Sequence, residues 1–502
     1  MLFSIEDNQY GISVPSTFQT PGGDIARNLE SFGNLKIFAG DGTEPAEAAR
    51  LIAQAVEHVR GRNGPALLRL KVPRLQGHSF QDTQAYKAAD FVEDEWRRDP
   101  LPKLKSYVVG SVLSEEEWDS IGREAAEVVA KAREIAEGRP VADPATVLKG
   151  VLFDGEMQTE GGQWTHGYTA PPSRDEPKPE GPRITMAAAI RRTLDQELTT
   201  NPRMLLFGED IGPKGGVHGV TQGLQEKHGF ERVFDTSLSE EGIVGRAVGL
   251  AIAGLLPVPE IQFRKYAEPA YEQINDTGTM RWRTHNRFAA PMVLRMPIGF
   301  LKCGDPWHSQ TNEVQFVHNP GWLVAAPSNA EDAVGLLRAA LRGNDPAVFF
   351  EHRAMLDDSW ARRPWPGDDY VLPFGRARKT KQGDDITIVT WGAMTPRCEE
   401  ALGDRSGDVI DLRTLVPWDK EMVLESVRRT RRCLIVHEDL RSGGFGAEIA
   451  AVVADEAFLD LDAPVARVTM PDVPSPHNPV LLDHVVPSVD AIRAKIDELV
   501  SF

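Results

Sequence analysis

Cysteine is almost missing from this chain. Three occur in 502 residues, Cys303, Cys398 and Cys433, too far apart for a disulfide framework or a zinc-ligand spacing. A reducing cytoplasm is the compartment to expect. No apolar run reaches the roughly 20 residues of a membrane span, and the first residues lack the basic flank and length of a secretion signal. Positive charge is outnumbered, with 56 Lys and Arg against 74 Asp and Glu and a formal net charge of −18. That balance sets nucleic acid and anionic membranes aside as partners. It leaves open a phosphorylated cofactor, which needs only a local site. No repeat appears at the period of about 20 to 50 residues that marks solenoids.

What is present is a composition of 41% hydrophobic and 26% charged residues, enough for globular cores, and a length that implies about three domains. Leu2, Phe3 and Ile5 read as a short buried strand running into the polar turn Glu6-Asp7-Asn8-Gln9. "LKIFAG" (35–40), a helix within 41–64 with Pro45 just inside its start, and "ALLRLKV" (66–72) read as strand, crossover helix and strand, so a parallel sheet is expected. "SEEEWDSIGREAAEVVAKAREIAEG" (114–138) reads as one amphipathic helix, opened by a capping box of Ser114 and Glu117 and expected to pack. Residues 139–182 are rich in Gly, Pro and charge and read as a linker. A second α/β unit starts at Ile184, with strands at 203–208, 256–261, 291–296, 322–327 and 347–352. A break at 359–370 precedes a third unit with strands at 385–392, 408–413 and 432–438.

Three stretches could carry chemistry. In "VFDTSLSEEGIVGRAVGLAIAGLLPVPEIQFRKYAEPAYEQI" (233–274), Ser239 is placed to cap a helix beginning Glu240-Glu241 and continuing with small and apolar residues, so the helix is expected to be buried. Burial raises a carboxyl pKa and a helix N-terminus lowers it. Glu240 could therefore share a proton with a bound nitrogen base, or the two acids could merely complement the helix dipole. In "KCGDPWHSQTNEVQFVHNPG" (302–321), His308 reads as an acid–base residue or as an ordinary loop histidine. In "VPRLQGHSFQDTQAYK" (72–87), Arg74, His78, Ser79 and Asp82 follow a parallel strand, where ligand sites of this fold class gather, or form a solvated loop. "SGGFG" (442–446) reads as a helix-start turn rather than a phosphate cradle, and "HED" (437–439) as structural.

Together, "EDNQYGISVP", "RLQGHSFQD", "LLFGEDIG", "VFDTSLSEEGIVG", "EIQFRKY", "HSQTNE", "VIDLRTLVPWD" and "GGFGAEI" resemble, in order, the decarboxylating component of thiamine-diphosphate-dependent 2-oxo acid dehydrogenases of the branched-chain and pyruvate type. Residues 1 to about 150 resemble the later part of the α subunit, and 183–502 an essentially whole β subunit. The resemblance implies an α/β, transketolase-like thiamine-diphosphate fold with parallel sheets flanked by helices. It implies five segments: part of an α-like diphosphate-binding domain (1–105), a helical extension (106–138), the linker (139–182), a β-like pyrimidine-binding domain (183–358) and a smaller C-terminal α/β domain (359–502). It implies Glu240, His308 and His78 as catalytic residues. Glu240 would hydrogen-bond the cofactor's aminopyrimidine, His308 would face the substrate, and His78 would sit on a loop with Arg74 and Ser79 that closes over the site. Leu238, Gln262 and Tyr266 would line the aminopyrimidine. Asn8 and the Tyr10 carbonyl would hold Mg²⁺ against the diphosphate, as oxygen ligands suit that ion. The implied reaction is decarboxylation of a 2-oxo acid, branched-chain by preference, with the acyl group passed to the lipoyl group of a dihydrolipoyl acyltransferase. A homodimer equivalent to an α2β2 tetramer is expected. Pyruvate or acetoin dehydrogenases, and more distantly a transketolase, are the alternatives.

The family's Gly-Asp-Gly motif, which precedes the opening strand, has no counterpart there. Gly40-Asp41-Gly42 follows Asn8 instead. Asp7 replaces the usual Asn, and with Glu6 it brings negative charge toward a diphosphate. The expectation is thus a fused α–β enzyme lacking its first part, or a chain that is non-catalytic or dependent on a partner, and weak cofactor binding by this chain alone.

Overall fold

Three parallel strands organise the start of the chain: β1 (Leu2–Asp7), β2 (Lys36–Asp41) and β3 (Ala66–Lys71), in the order β1-β3-β2. Helix α1 (Pro45–Arg60) makes the crossover, with Pro45 at its first turn and Gly61 at its end, where proline costs no hydrogen bond. Its buried Leu51 and Ala55 meet Leu68 and Leu70 in a small core. The expectation that β1 is buried fails: it is an edge strand with Phe3 exposed, and only its side toward β3 is paired. Helix α2 (Glu115–Glu137) has both halves of the expected capping box. It does not pack as expected, because no residue along it is buried.

The structure, a computed structural model, describes residues 1–156 and 159–502. It divides into two compact units, Met1–Ala142 and Asp143–Phe502. The stretch expected as a linker, 139–182, is from residue 143 onward built into the second unit. Gln163 is buried, donates to the Leu341 carbonyl at 3.0 Å and accepts from Asn201 at 2.6 Å. The Phe153 amide donates to Asp345 at 2.9 Å, and Arg174 and Val371 exchange backbone hydrogen bonds with Asp369 and Arg174. This segment is tied down by backbone and amide contacts, which leave no periodicity in the sequence.

After that segment the second unit continues with α3 (Met186–Thr200), capped by the Thr185 hydroxyl. A seven-stranded sheet follows, built from β4 (Met204–Gly208), β5 (Val233–Asp235), β6 (Leu256–Glu260), β7 (Val293–Ile298), β8 (Leu323–Ala325), β9 (Ala347–His352) and β13 (Thr414–Val416). Its order is β13-β8-β9-β7-β6-β4-β5, and every pair is parallel except β13 with β8. Helix α4 (Glu240–Ile252) lies between β5 and β6, and α5 (Ala330–Arg342) between β8 and β9. A five-stranded sheet, β10 (Arg378–Lys381), β11 (Thr387–Thr390), β12 (Asp408–Asp411), β14 (Cys433–Leu440) and β15 (Ala466–Met470), takes the order β10-β12-β11-β14-β15. The central parallel strands β11, β12 and β14 are almost wholly buried, as parallel strands covered by helices must be, while β10 is a polar edge strand that runs antiparallel to β12.

One charged group lies in the middle of the larger sheet. Arg295 on β7 is fully buried and is held 2.7 Å from Glu260 on β6 and 2.7 Å from Glu351 on β9. A buried charge persists only when paired in this way. The triad locks the three strands whose ends carry the site.

Candidate active site

In the second unit the candidate residues stand at the carboxyl ends of parallel strands. β4 leads into Glu209-Asp210, β5 into Glu240, β6 into Gln262 and Tyr266, β7 into the loop holding His308, and β9 into Arg353. After β4 the chain steps outward to β5, then returns past β4 to β6 and β7. The crevice at such a reversal is where open α/β sheets take ligands.

Glu240 is half-buried as the first residue of α4. The expectation of a buried α4 is corrected: only Ile243, Val244, Ala247 and Ala251 are buried, while Gly245, Arg246 and Gly249 face outward. Small residues read as apolar in the sequence but here lie on the open face. Ser239 is the N-cap by position without capping by its side chain, since its hydroxyl donates to Glu241 Oε1 at 2.9 Å. Leu238 stands 83% exposed just before them. Burial raises the Glu209 carboxyl above its ordinary range, and the charges of Glu240 and Asp210 add to the effect. Its Oε1 is buried without a hydrogen-bond partner among the described residues. Gln262 Nε2 donates to Asp210 Oδ2 at 3.3 Å.

Tyr266 and His308 meet directly, with the phenol oxygen 2.9 Å from His308 Nε2. Phe263 packs edge-on against both rings, 4.5 Å from the His308 centroid and 5.9 Å from that of Tyr266. Arg353 lies 5.2 Å over the Phe263 ring and donates to the His308 carbonyl at 2.6 Å. His218 completes the group, its ring 6.0 Å from Phe263. Burial, helped by Arg353, pushes the His218 imidazole down to about 4, so it is neutral at physiological pH. Gly299 begins the His308 loop with φ +72°, and a Cβ there would strike the His352 ring at 2.1 Å, so only glycine fits.

The first unit holds the other candidates. Asn8 Oδ1 accepts from the Tyr10 amide at 3.0 Å, and the turn carries Gln9 at φ +67°. Asp7, expected to add negative charge, is neutralised by the buried Arg69 at 2.6 Å. Arg74 lies 5.7 Å over the Tyr10 ring and donates to the Ile12 carbonyl at 2.8 Å and to the Tyr86 hydroxyl. His78 and Ser79 are exposed beside the fully exposed Phe80. The His78 amide, together with that of Gln84, holds Asp82 down to about 2. Among the described residues, no cluster of three His, Cys, Asp or Glu is arranged to hold a metal ion.

Within the second unit Tyr266 meets His308, Gln262 is held to Asp210, and Leu238 and Glu240 stand at the head of α4. Within the first, Arg74 joins Tyr10 while His78 and Ser79 project into solvent. Sequence reasoning missed Glu209, His218, Phe263, Asp305 and Arg353. Asp305 had a signal, a carboxylate three residues before His308 in a Gly-Asp-Pro turn. The others are brought in by the sheet order alone.

Three family matches tile the chain. Residues 1–145 match the dehydrogenase E1 component, 182–358 the transketolase pyrimidine-binding domain, and 375–492 the transketolase C-terminal domain. The 2-oxoisovalerate dehydrogenase subunit beta 2, mitochondrial, of Arabidopsis thaliana is 41% identical over 345 residues, which cover 66% of this chain and 94% of that protein. The pyruvate dehydrogenase E1 component subunit beta of Acholeplasma laidlawii is 40% identical over 299 residues, covering 58% of this chain and 91% of that one. A solved structure described as a split gene transketolase, inactive beta4 tetramer, shares the fold with a TM-score of 0.51 and 22% identity, over 63% of this chain and 99% of that chain. Among the described residues, no helix is long and apolar enough to cross a membrane.

Proposed function

The chain belongs to the E1 family of 2-oxo acid dehydrogenases, and from that premise we propose that it decarboxylates a branched-chain 2-oxo acid and passes the acyl group to a lipoylated dihydrolipoyl acyltransferase. The observation that supports this reading is the Tyr266–His308 contact, with Gln262 held to Asp210 and Glu240 near Glu209, all following the carboxyl ends of strands of one sheet. Thiamine diphosphate, when bound, supplies a nucleophilic carbon and an acceptor for the electron pair released with carbon dioxide. The residues suit its pyrimidine end. Glu240 offers a carboxylate at a helix start, Glu209 a buried oxygen still in need of a partner, and Leu238 an uncovered apolar side chain.

Each side chain then has a task. Glu240 holds or gives one proton at the heterocycle's ring nitrogen. Tyr266 and Leu238 would pack on the pyrimidine, with Gln262 beside it. His308 would face the substrate; in the first unit, Arg74, His78 and Ser79 would belong to a loop that shields substrate from water. Asn8 and the Tyr10 carbonyl are two oxygen donors suited to Mg²⁺ beside a diphosphate, and the Asp7–Arg69 pair removes the repulsion that Asp7 alone would cause. Five segments, 1–105, 106–138, 139–182, 183–358 and 359–502, divide these tasks, with β13 tying the last to the fourth. We further propose a homodimer equivalent to α2β2, working in a multienzyme complex in the cytoplasm, a compartment consistent with three unpaired cysteines.

A second reading, pyruvate as substrate, draws support from the 40% identity to the Acholeplasma protein. Carbon dioxide release from 3-methyl-2-oxobutanoate and from pyruvate, compared at equal concentration with the full chain, separates the two. The branched-chain acid is expected to lead by at least ten-fold in kcat/KM, and a preference for pyruvate overturns the substrate assignment.

A further inference from the structure

Asp305 sits three residues before His308 on the loop after β7. Its Oδ1 accepts from the amides of Trp307 at 2.7 Å and His308 at 2.6 Å, and its Oδ2 lies 2.9 Å from His308 Nδ1. The Asp305 amide in turn donates to Ser309 Oγ at 3.1 Å, so the turn is closed on both sides. Burial alone would raise this carboxyl, but the His308 amide, the His308 ring and the Trp307 amide together hold it below the usual carboxylate range. An ionised carboxylate only accepts hydrogen bonds. Nδ1 must therefore carry the proton, and in the neutral ring Nε2 is left as the acceptor, 2.9 Å from the Tyr266 hydroxyl.

We propose that Asp305 is a positioning residue that locks His308 in the Nδ1–H tautomer, so that the site presents a proton acceptor at Nε2, held by the Tyr266 hydroxyl until substrate arrives. The role in turnover rests on the functional reading above, in which His308 faces the substrate. Other charged or titratable groups around the ring leave this assignment in place. Arg353 engages the His308 carbonyl and Ser309 Oγ rather than the ring nitrogens. His218 is neutral and lies beyond Phe263. The order Asp305, His308, Tyr266 is a carboxylate–imidazole–phenol relay whose parts come from the loop after β7 and the turn after β6.

Asp305→Asn tests it with little change of shape. The amide oxygen can keep the two backbone donors, while the amide nitrogen replaces Oδ2 and must donate to Nδ1, which forces the proton to Nε2. In a Ser-His-Asp triad the same replacement leaves the geometry intact and puts the imidazole in the wrong tautomer. The experiment is nitrogen-15 NMR of the full chain labelled at histidine, at a pH where the ring is neutral, with the His308 signals assigned from their loss in His308→Gln. The wild type should show a protonated Nδ1 and a bare Nε2, and Asp305→Asn the reverse. In parallel, kcat for 2-oxo acid decarboxylation should fall about 100-fold or more, with KM changed only a few-fold. A wild-type proton on Nε2, an unchanged tautomer in Asp305→Asn, or a reversed tautomer with unchanged kcat overturns the proposal. Reversal in a chain that turns over no 2-oxo acid supports the tautomer lock and counts against the functional reading instead.

Discussion

Glu313 is 1% exposed between the two sheets of the second unit. Its Oε1 accepts from Trp391 Nε1 at 2.8 Å, and its Oε2 has no hydrogen-bond partner among the described residues. Burial, then the charge of Asp439, pushes its carboxyl up to about 8 from an ordinary 4.5, while Asp439 is itself raised to about 6, first by burial. The native state therefore binds more protons than the unfolded chain between those values. Stability must fall as pH rises through that window and level off above it. Thermal melts across pH 5 to 8 should show a smaller loss of Tm in Glu313→Gln than in the wild type, the remainder being shared by Asp439, Glu351, Asp345 and Asp411, which burial also raises. An unchanged slope would place the titration elsewhere. The same scale shows what the sequence could reveal. His308 and Tyr266 stood out in the sequence as candidates through their motifs, and the structure brings them into contact, whereas the Asp305 contact depends on a turn closed by Ser309, which no periodicity announces.

At the scale of elements, the parallel strands were readable from their apolar runs and the helix boundaries from Pro45 and Ser114. Burial was less readable. The small residues of α4 suggested a core helix, yet Gly245 and Gly249 face outward, and the apolar residues Ile121, Val128, Val129 and Ile135 of α2 are exposed. With no buried residue, α2 owes its stability to local terms. Loss of its capping box in Ser114→Ala should cost about 1 kcal/mol of helix stability, read as several-fold faster amide exchange in the first turns of α2 with Tm unchanged. A lower Tm would mean that α2 contributes to a core after all.

At the scale of the whole molecule, the order of the motifs along the chain was enough to give the fold class. The sheet order then explains why residues as far apart in sequence as Glu209 and Arg353 end at one edge of one sheet. The acidic balance of the chain does not by itself oppose an anionic cofactor: Asp7, next to the proposed ligand Asn8, is paired with Arg69. In the proposed function the head of α4 activates the cofactor through one carboxyl group, that of Glu240. The direct measurement is carbon dioxide release from 3-methyl-2-oxobutanoate by the full chain at millimolar thiamine diphosphate and Mg²⁺, concentrations that saturate even a weak site, set beside Glu240→Gln. The account predicts turnover by the wild type and a loss of about 100-fold or more in Glu240→Gln with the circular dichroism spectrum unchanged. Equal rates in the two proteins, or no release above background by either, would contradict it.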